Sequence, residues 1–499
     1  MEHTQTRFAP APSEALPSFT AALKALDAGL AAIERVAWEL REAAQAAAES
    51  GAEVMGATRD ARLRGARLSR AGWMLTKVAA SYRLHLTRRA FTSRASAARA
   101  LPKLHTKNAR RFRATSEELG GAFLKVGQML STRPDLVPAP WIAELSHLQD
   151  AAPPVPFDAI RAVLEEDLGA PLDERFADFD ETPLAAASIG QVHRARTHDG
   201  REVAVKVQRP GIRTLVEADL RLLEHFLEAL APSLPPTDMD TIVREARAAV
   251  LRELDYDHER ARMAELAAFL DAVDGVRAPT PFPELSGPRV ITASFERGRK
   301  ITAALDEWAA AREEGDLEAA ACLSTALGRV LDAYLRQVLE AGVFQADPHP
   351  GNLLVDDAGE VVLLDFGCTQ VLERPRRAAY LALFQAFLVN DEAGVEARLV
   401  ELGFETRSGD SGTLRAFTEA LLRDLRGAMA GEHQWPTQEE LMAEAARLKT
   451  LSEDDPVETL PGDFIMLARV FATLGGLYAA YRPDGLGDRL RAAMLRALA

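Results

Sequence analysis

Two short segments of the chain contain the residue types that phosphoryl-transfer chemistry requires. Asp347 is followed five residues later by Asn352, and Asp365-Phe366-Gly367 begins thirteen residues after that asparagine. In this chemistry one carboxylate faces the attacking oxygen, while an amide and a second carboxylate hold magnesium on the nucleotide phosphates. We therefore predict that Asp347 is the catalytic carboxylate and that Asn352 and Asp365 are Mg²⁺ ligands in a site for ATP or ADP.

The residues between these two segments have the pattern of a β-hairpin. Residues 353–355 and 361–364 are short apolar runs, and Asp357-Ala358-Gly359 separates them. An Asp/Gly turn between two apolar runs is typical of a hairpin. Such a hairpin would bring both metal ligands to one end of the same two strands. Either segment alone occurs often by chance, but their joint spacing around a hairpin does not.

The order of the predicted elements places these residues after a change from strands to helices. Residues 191–196 and 202–207 alternate as strands around a turn at 198–200, and residues 290–293 form a further strand. Pro102 is expected to interrupt the first basic helix. Helices are predicted at 59–100, from about 116 to 130, at 157–168, 212–230 and 238–273, and through most of the chain after about 305.

This order is the bilobal plan of a protein kinase. The fold class that we predict is α+β, a protein-kinase-like fold with a small β-containing N-lobe, a helical C-lobe and an added helical N-terminal extension. The predicted limits are 1–114 for the extension, 115–293 for the N-lobe with the helices before it, and 294–499 for the C-lobe.

A lysine and a glutamate occur where a kinase needs them. Lys206 ends the alternating strand Val203-Ala204-Val205-Lys206, and a kinase lysine at this place contacts the α- and β-phosphates. Glu259 follows in a helix of the same lobe, where it would orient the lysine. We assign catalytic roles to Lys206 and Glu259 beside Asp347, and this leaves Glu253 and Asp255 for another partner.

The loop that would cover the phosphates is rich in alanine instead of glycine. Because alanine resists positive φ, this loop should be stiffer than a glycine-rich one and should approach the phosphates differently. We also assign a nucleotide contact to Glu296, in the connector after the strand at 290–293. The predicted nucleotide-binding residues are Ala185, Ala186, Ala187, Ser188, Ile189, Gly190, Val192, Lys206 and Glu296.

Together these motifs resemble the UbiB/AarF/ADCK family of atypical kinases. The resemblance covers about residues 110–485. Its combination of motifs is highly specific. The residues that carry it are the Lys-x-Gly-Gln motif (Lys125, Gly127, Gln128), the Ala-rich loop, Lys206, the Glu-x-Asp motif (Glu253, Asp255), and Asp347 to Asn352 with Asp365.

The resemblance implies a kinase-like enzyme that does not readily phosphorylate proteins. In such proteins the Lys-x-Gly-Gln helix folds over the place where a peptide would bind, and the Glu-x-Asp acids pair with it. An autoinhibitory role is therefore expected for Lys125, Gly127, Gln128, Glu253 and Asp255. The activity implied is ATP binding and hydrolysis, linked to quinone, including ubiquinone, and isoprenoid-lipid metabolism.

One residue departs from the family pattern. The family has a histidine two residues before the catalytic aspartate, and this chain has Gln345. A neutral amide can still form hydrogen bonds, so the shape of the loop is expected to be kept, whereas a proton-relay role at this position is not.

The composition is that of a soluble globular protein with 499 residues, 47% hydrophobic and 27% charged. The start of the chain lacks the pattern of a signal peptide, so a cytoplasmic location is the default expectation. The longest apolar stretch, residues 464–481, is interrupted by Arg469, and we interpret it as a buried helix and not as a membrane span.

The positive charge of the chain is concentrated in one segment. Residues 59–113 contain sixteen Lys or Arg and one acid, whereas the whole chain has a net charge of −15. The segment either docks on the acidic body of the chain or lies on an anionic membrane at its inner face. The second alternative depends on Trp73, Leu75, Val78, Tyr82 and Leu86, set among the cations. A protein partner is a further alternative, and no nucleic-acid partner is expected because no reading motif is present.

Two other classes of function remain open at this stage. One is a nucleotide-switched pseudokinase scaffold, and the intact set of five kinase residues argues against it. The other is a phosphotransferase for a small molecule, and the Lys-x-Gly-Gln motif and the Ala-rich loop argue against that.

Overall fold

The protein is described from a computed structural model that covers most of the chain after residue 53. The described residues are 54–89, 94–131, 137–148, 152–230, 251–389, 391–409, 412–416, 457–459 and 461–498, with isolated positions between 244 and 250 and at 418, 447 and 455. The part of the predicted helical extension before residue 54 lies outside the described residues.

Helices form most of the described part. In chain order, α1 to α14 are Val54–Arg89, Arg94–Leu119, Gly121–Ser131, Ala139–Leu145, Phe157–Leu168, Leu172–Arg175, Ile212–Leu230, Tyr256–Leu270, Ile301–Glu313, Leu317–Arg336, Arg374–Leu388, Glu392–Glu401, Gly462–Tyr481 and Leu486–Leu498. Short 3₁₀ turns occur at Pro283–Leu285 and Pro350–Asn352, and a π-helical turn at Gln337–Ala341.

The strands are short and fall into small sheets. In chain order, β1 to β13 are Asp178–Phe179, Ala185–Ala186, Gly190–Arg196, Glu202–Gln208, Val276–Arg277, Val290–Ser294, Arg299–Lys300, Val343–Gln345, Leu353–Val355, Val361–Leu363, Thr369–Val371, Glu405–Thr406 and Val457–Thr459. One sheet has the order β1-β3-β4-β6, with β2 also paired to β3, and a second has the order β5-β10-β9-β7. The pairs β8 with β11 and β12 with β13 are separate.

The chain divides into two compact units whose limits differ from the predicted three parts. The first contains residues 1–172, 180–193 and 206–254, and the second contains residues 173–179, 194–205 and 255–499. The boundary therefore falls within β3 and β4. The division at 114/115 and 293/294 stays a prediction about functional parts.

In the first unit, the faces of α1, α2, α3 and α7 form one core. Phe123 of α3 has no exposed surface, and Val216 of α7 has none either. The buried side chains of this core include Leu75, Val78, Tyr82, Phe112, Phe123, Leu124, Val126, Val216 and Leu220. The helices are therefore held by apolar burial, which contributes about 25 cal/mol per Å² removed from water.

A buried ion pair joins three of these helices. The Arg67 guanidinium bonds both carboxylate oxygens of Asp219 on α7, with 3.1 Å between Nε and Oδ1, and it also donates to the backbone oxygens of Leu119 and Gly120. Burial raises the pKa of Asp219, although the bonds from Arg67 oppose that shift. Because the carboxylate is almost fully buried, removal of Arg67 would leave an uncompensated charge at a cost of about 3–5 kcal/mol.

The second unit has its own core around α10. Tyr334, Phe344 and Phe366 are fully buried in it. Its other members come from α8, α9, α13, α14 and the hairpin β9–β10, and include Leu266, Leu270, Leu327, Leu353, Val361, Leu363, Val470, Leu474 and Leu490. Val361 and Leu363 of the strand that precedes Asp365 are thus part of this core, which fixes the place of the residues that follow the strand.

Most of the predicted elements are present, and two helix predictions are wrong. Pro102 does not interrupt a helix but lies inside α2, where packing of α2 on its neighbours outweighs the loss of one backbone donor. The continuous helix predicted at 238–273 is broken at residues 253–255, because the Asp255 side chain caps α8 by accepting a bond of 2.9 Å from the His258 backbone nitrogen.

Candidate active site

The hairpin predicted between the two motifs is present. β9 and β10 pair antiparallel, with Val355 opposite Val361 and Leu353 opposite Leu363. At the open end the backbone nitrogen of Leu364 donates to the Asn352 oxygen over 2.8 Å. Asn352 and Asp365 are therefore next to each other at the same end of the hairpin, as two ligands of one metal ion must be.

Asp365 has an unusual backbone conformation. Its φ is +63°, in the left-handed region that residues other than glycine adopt rarely. Its Oδ1 accepts a bond of 3.1 Å from the Gly367 nitrogen, and the Phe366 ring that follows is fully buried. Such strain persists only where the surroundings enforce it, and it is concentrated at functional sites.

Hydrogen bonds from Gln345 hold the backbone of Asp365 in this conformation. β8, which ends at Gln345, pairs with β11 immediately after the Asp-Phe-Gly segment. The Gln345 side chain is fully buried, and its Nε2 donates to the backbone oxygens of both Leu364 and Asp365. Its Oε1 accepts from the Tyr334 hydroxyl, and its backbone nitrogen bonds Gln337 Oε1 over 2.9 Å. The predicted hydrogen-bonding role of Gln345 is therefore present in the structure.

Tyr334 supplies a permanent donor to this network. Burial raises the pKa of Tyr334 well above its usual value, and the negative charges of Asp347 and Asp365 add to the shift. The phenol therefore stays protonated. Because the Tyr334 hydroxyl donates to Gln345, and Gln345 donates to the Asp365 backbone oxygen, these three residues belong to one hydrogen-bonded network.

Glu259 lies beside the same segment. Its carboxylate is 3% exposed, and a Cβ atom placed on Gly367 would be 3.5 Å from Glu259 Oε2 and 3.3 Å from Asp365 Oδ1. Because Glu259 is buried, its carboxylate needs cationic compensation. The assignment of Lys206 to this role stays a prediction; Lys206 itself is half-buried in β4.

Asp347 has an ion-pair partner that the motifs did not indicate. Arg469 of α13 places Nη2 at 3.1 Å from Asp347 Oδ2. The sequence signal for it was weak, because Arg469 was noted only as an interruption in an apolar stretch. A pattern along the chain does not show which distant side chain an arginine meets.

The predicted nucleotide loop is a tight turn between β2 and β3. Ala185 and Ala186 pair with Gln191 and Val192 in β3, and the Ala187 nitrogen donates to the Gly190 oxygen over 2.8 Å. Arg209 holds the turn, because its Nε lies 2.7 Å from the Ala187 oxygen. Ser188 and Ile189 are buried. These bonds agree with a stiff loop, and its contact with nucleotide stays a prediction.

The carboxylate of Glu296, a predicted nucleotide contact, already has bonding partners in the structure. Arg277 Nε lies 2.9 Å from Glu296 Oε2, and the Ser294 hydroxyl lies 2.6 Å from Oε1. The same arginine also pairs with Asp356 and Glu360 in the turn of the β9–β10 hairpin. A nucleotide contact through the Glu296 side chain would have to break these bonds, so we expect its backbone to make any such contact.

The Lys-x-Gly-Gln residues are in contact with other parts of the first unit. Lys125 Nζ lies 2.6 Å from Glu253 Oε2, and the lysine side chain is 12% exposed. A Cβ atom at Gly127 would lie only 2.5 Å from Leu148 Cδ1, so any larger residue there would have to displace the Leu148 side chain. Gln128 Nε2 is 3.5 Å from the Leu148 oxygen. Asp255 instead caps α8, as described above. Their autoinhibitory role stays a prediction.

The donor set fits magnesium. The carboxylate of Asp365 and the amide of Asn352 are hard oxygen ligands, which Mg²⁺ uses together with water and phosphate oxygens. Among the residues that the structure describes, no group of three or more His, Cys, Asp or Glu side chains could hold a metal ion. The ion of a kinase-type site needs only the two protein ligands, because the nucleotide supplies the others.

Helix α13 meets the length and composition of a membrane span, with a mean hydropathy of 1.5 in its most apolar window. In the structure one face of it packs into the core of the second unit through Leu467, Val470, Leu474, Leu477 and Tyr478. The opposite face, which includes Ala472, Gly475, Gly476 and Ala479, is exposed. The predicted burial of this helix is thus correct for one face only.

The basic segment is also only partly as predicted. Leu75, Val78 and Tyr82 belong to the core of the first unit and do not face outward, because α1 packs on its neighbours along that stripe. Trp73 is 62% exposed, with Lys77 Nζ at 4.8 Å from its ring. The side chain of Leu86 lies outside the described residues. Trp73 is therefore the exposed aromatic side chain that the membrane hypothesis retains.

Comparison with known proteins indicates the kinase group to which these features belong. A protein-family model described as the ABC1 atypical kinase-like domain matches residues 147–399. A chloroplastic protein of Arabidopsis thaliana named ACTIVITY OF BC1 COMPLEX KINASE 7 is 34% identical over 370 residues, which is 74% of this chain and 51% of that protein. AarF domain-containing protein kinase 1 of Xenopus laevis is 34% identical over 288 residues, 57% of this chain and 54% of that protein.

The fold agrees with a solved structure of low sequence identity. A protein from Mycobacterium tuberculosis, determined in complex with erythromycin, has a TM-score of 0.54 and 24% identity, and the match covers 78% of this chain and 96% of that one. The predicted α+β, protein-kinase-like fold is confirmed. The chain spans about half the length of the two curated relatives named above.

The Gln345 network can be tested with an isosteric change. Gln345→Glu keeps the shape of the side chain but replaces the Nε2 donor with an acceptor that faces two backbone oxygens. We expect it to lower the free energy of unfolding by about 2 kcal/mol or more and to reduce the thermal stabilisation by Mg-ADP. Gln345→His, which keeps a ring donor, should retain more of both. Urea unfolding and thermal-shift assays measure these effects, with Gln370→Glu on β11 as control. A Gln345→Glu protein that equals wild type in both assays would contradict the role of the network.

The ion pair of Lys125 with Glu253 can be tested by a charge swap. Lys125→Glu replaces the ammonium that lies 2.6 Å from Glu253 Oε2 with a second carboxylate, so the cover that this helix is expected to form should be disturbed. We expect a changed preference between ATP and ADP in thermal-shift assays, or self-phosphorylation with labelled ATP. Adding Glu253→Lys should restore wild-type behaviour, whereas Lys107→Glu, at an exposed position on α2, should have no effect. No change in either assay would refute the autoinhibitory role.

Proposed function

This chain belongs to the ABC1 atypical kinase-like family, and from that membership we propose that it transfers the γ-phosphoryl group of Mg-ATP to water or to a non-peptide acceptor. The observation that carries the proposal is the backbone hydrogen bond from the Leu364 nitrogen to the Asn352 oxygen. It brings the candidate metal ligands Asn352 and Asp365 together at one end of the hairpin. Asp347, the third member of the set, precedes the same hairpin by six residues.

The residues would divide the work as follows. Asn352 and Asp365 hold magnesium, which when bound neutralises charge on the β- and γ-phosphates. Asp347 accepts the proton of the attacking water or hydroxyl group. The oxygen of that water or hydroxyl group forms a bond to the γ-phosphorus, and the bond from the γ-phosphorus to the bridging oxygen of ADP breaks. Lys206 contacts the α- and β-phosphates, and Glu259 orients the lysine. The Ala-rich turn would cover the phosphates.

The proposal extends to a lipid or quinone-related substrate at an anionic membrane surface. It is supported by the excess of cations in residues 59–113 and by the exposed Trp73 beside Lys77. Each Lys or Arg near an anionic surface contributes about 1 kcal/mol at low salt. Because Leu75, Val78 and Tyr82 are buried, attraction between charges would have to supply most of the binding. Such binding should therefore be weak at high salt.

The phosphotransfer proposal is tested by removing one metal ligand. In Asp365→Asn the carboxylate that should hold the ion is lost, so stabilisation of the protein by Mg-nucleotide should disappear. Asp357→Asn, at the exposed far end of the same hairpin, should behave like wild type. Thermal-shift assays with Mg-ADP and with ADP plus a chelator report binding. Wild-type stabilisation in Asp365→Asn would remove the basis of the proposal.

Phosphate release from ATP separates the classes of function. We expect release by the wild-type chain, its stimulation by liposomes that contain anionic lipid, and a loss of stimulation at high salt. Asp347→Asn should lower the rate roughly 10²- to 10⁴-fold while Mg-ADP binding is kept. Binding without release under any condition would favour the scaffold, and release that liposomes do not change would contradict the membrane part of the proposal.

A further inference from the structure

Helix α13 contains a charged side chain at an unusual position. Within Gly462–Tyr481 the charged residues are Asp463, in the first turn, and Arg469, in the middle of the apolar sequence. The Arg469 side chain is only 25% exposed, and Val470 next to it is fully buried in the core of the second unit. A guanidinium so close to an apolar core needs a compensating partner.

The helix that carries Arg469 is anchored near its start. Arg376 of α11 binds Asp463 as a fork, with both nitrogen–oxygen distances at 2.7 Å, and its Nη1 donates to the Leu402 oxygen over 2.8 Å. Burial alone would raise the pKa of Asp463, but the bonds from Arg376 hold it below the usual range. A bidentate fork of this kind fixes orientation as well as distance.

The helix is also anchored at its other end. The Tyr481 hydroxyl lies 2.6 Å from Asp306 Oδ1, and Arg312 Nη1 lies 2.9 Å from the Tyr481 backbone oxygen. Between the two anchors, Leu467, Val470 and Leu474 pack into the core. Arg469 is therefore carried by a helix whose position is fixed at both ends and along one face.

From this fixed position the guanidinium meets the candidate catalytic carboxylate. Arg469 Nη2 is 3.1 Å from Asp347 Oδ2, and within the described part of the chain Arg469 is the ion-pair partner of Asp347. The carboxylate has two oxygens, and a contact that occupies one of them sets the direction of the other. The planar, pre-organised fork of arginine suits this purpose better than the flexible ammonium of lysine.

We propose that Arg469 is a positioning residue for Asp347: it holds Oδ2 so that Oδ1 faces the oxygen that attacks the γ-phosphorus. This inference rests on the proposed phosphotransfer function and adds to it a residue outside the kinase motifs. Its effect should appear in the chemical step and not in nucleotide binding, because Arg469 acts through Asp347. A small misplacement of a catalytic group is enough to lower a rate about a hundredfold.

The test compares variants at position 469 by steady-state phosphate release from Mg-ATP. Arg469→Gln should lower kcat at least about tenfold with KM for ATP within about twofold of wild type, because binding does not use this contact. Arg469→Lys, which keeps the charge, should recover most of the lost rate. Arg496→Gln, which removes a different arginine of the same unit from its ion pairs with Asp332 and Glu340, should leave kcat unchanged.

A double-mutant cycle separates positioning from general damage. In an Asp347→Asn background, Arg469→Gln should cost no more than about twofold further in single-turnover rate, because the carboxylate that it positions is already gone. Thermal stabilisation by Mg-ADP should be kept in every variant, which shows that the site is folded. A full additional loss of rate in the Asp347→Asn background, an unchanged kcat in Arg469→Gln, or a loss confined to KM would each overturn the proposal.

Failure of the proposed function has a different signature. A wild-type chain that binds Mg-ADP but neither releases phosphate from ATP nor transfers it to a non-peptide acceptor would overturn phosphotransfer and the role of Arg469 together. Turnover by wild type with a normal Arg469→Gln variant would overturn the role of Arg469 alone.

Discussion

The buried amide of Gln345 donates to two adjacent backbone oxygens, those of Leu364 and Asp365, and the rest of the site depends on this contact. Asp365 has a positive φ, a conformation that residues other than glycine adopt rarely. The β9–β10 hairpin positions the start of the Asp365-Phe366-Gly367 segment, and the buried Phe366 ring anchors it in the core. The bonds from Gln345 fix the backbone conformation at Asp365. Because an amide does not titrate, this support does not change between acid and neutral pH, as that of a histidine would.

Arginine side chains connect the parts of the second unit around that site. Arg277 joins the connector at Glu296 to the β9–β10 hairpin through Asp356, with distances of 2.9 Å to Glu296 and 2.7 Å to Asp356. Arg376 fixes the start of α13, and Arg469 extends from that helix to Asp347. Each of these contacts links elements that are far apart in the chain. The candidate catalytic groups are thus held by packing and by charge from several directions, which is the rigidity that a pre-organised site requires.

The sequence predicted the parts whose signals are local. The hairpin, the strands at 191–196 and 202–207 and the proximity of Asn352 to Asp365 follow from turn residues and short periodic runs. The predicted helix break at Pro102 was wrong, because tertiary packing tolerates a proline inside α2. The continuous helix predicted at 238–273 was also wrong, because the Asp255 side chain caps a new helix after the break at 253–255. Arg469 and the fork of Arg67 with Asp219 could not be predicted, because a pairing over more than a hundred residues leaves no periodic signal. The burial of Leu75, Val78 and Tyr82 shows that an apolar stripe does not reveal whether it meets a membrane or a neighbouring helix.

The central claim is that Asn352 and Asp365 hold a metal ion on the phosphates of a nucleotide. The most direct test is a crystal structure of the chain with Mg²⁺ and a non-hydrolysable ATP analogue. We predict one ion with the Asp365 carboxylate and the Asn352 amide oxygen at about 2.1 Å, shared with phosphate oxygens of the analogue. An analogue bound elsewhere on the chain, or an ion that touches neither residue, would contradict it.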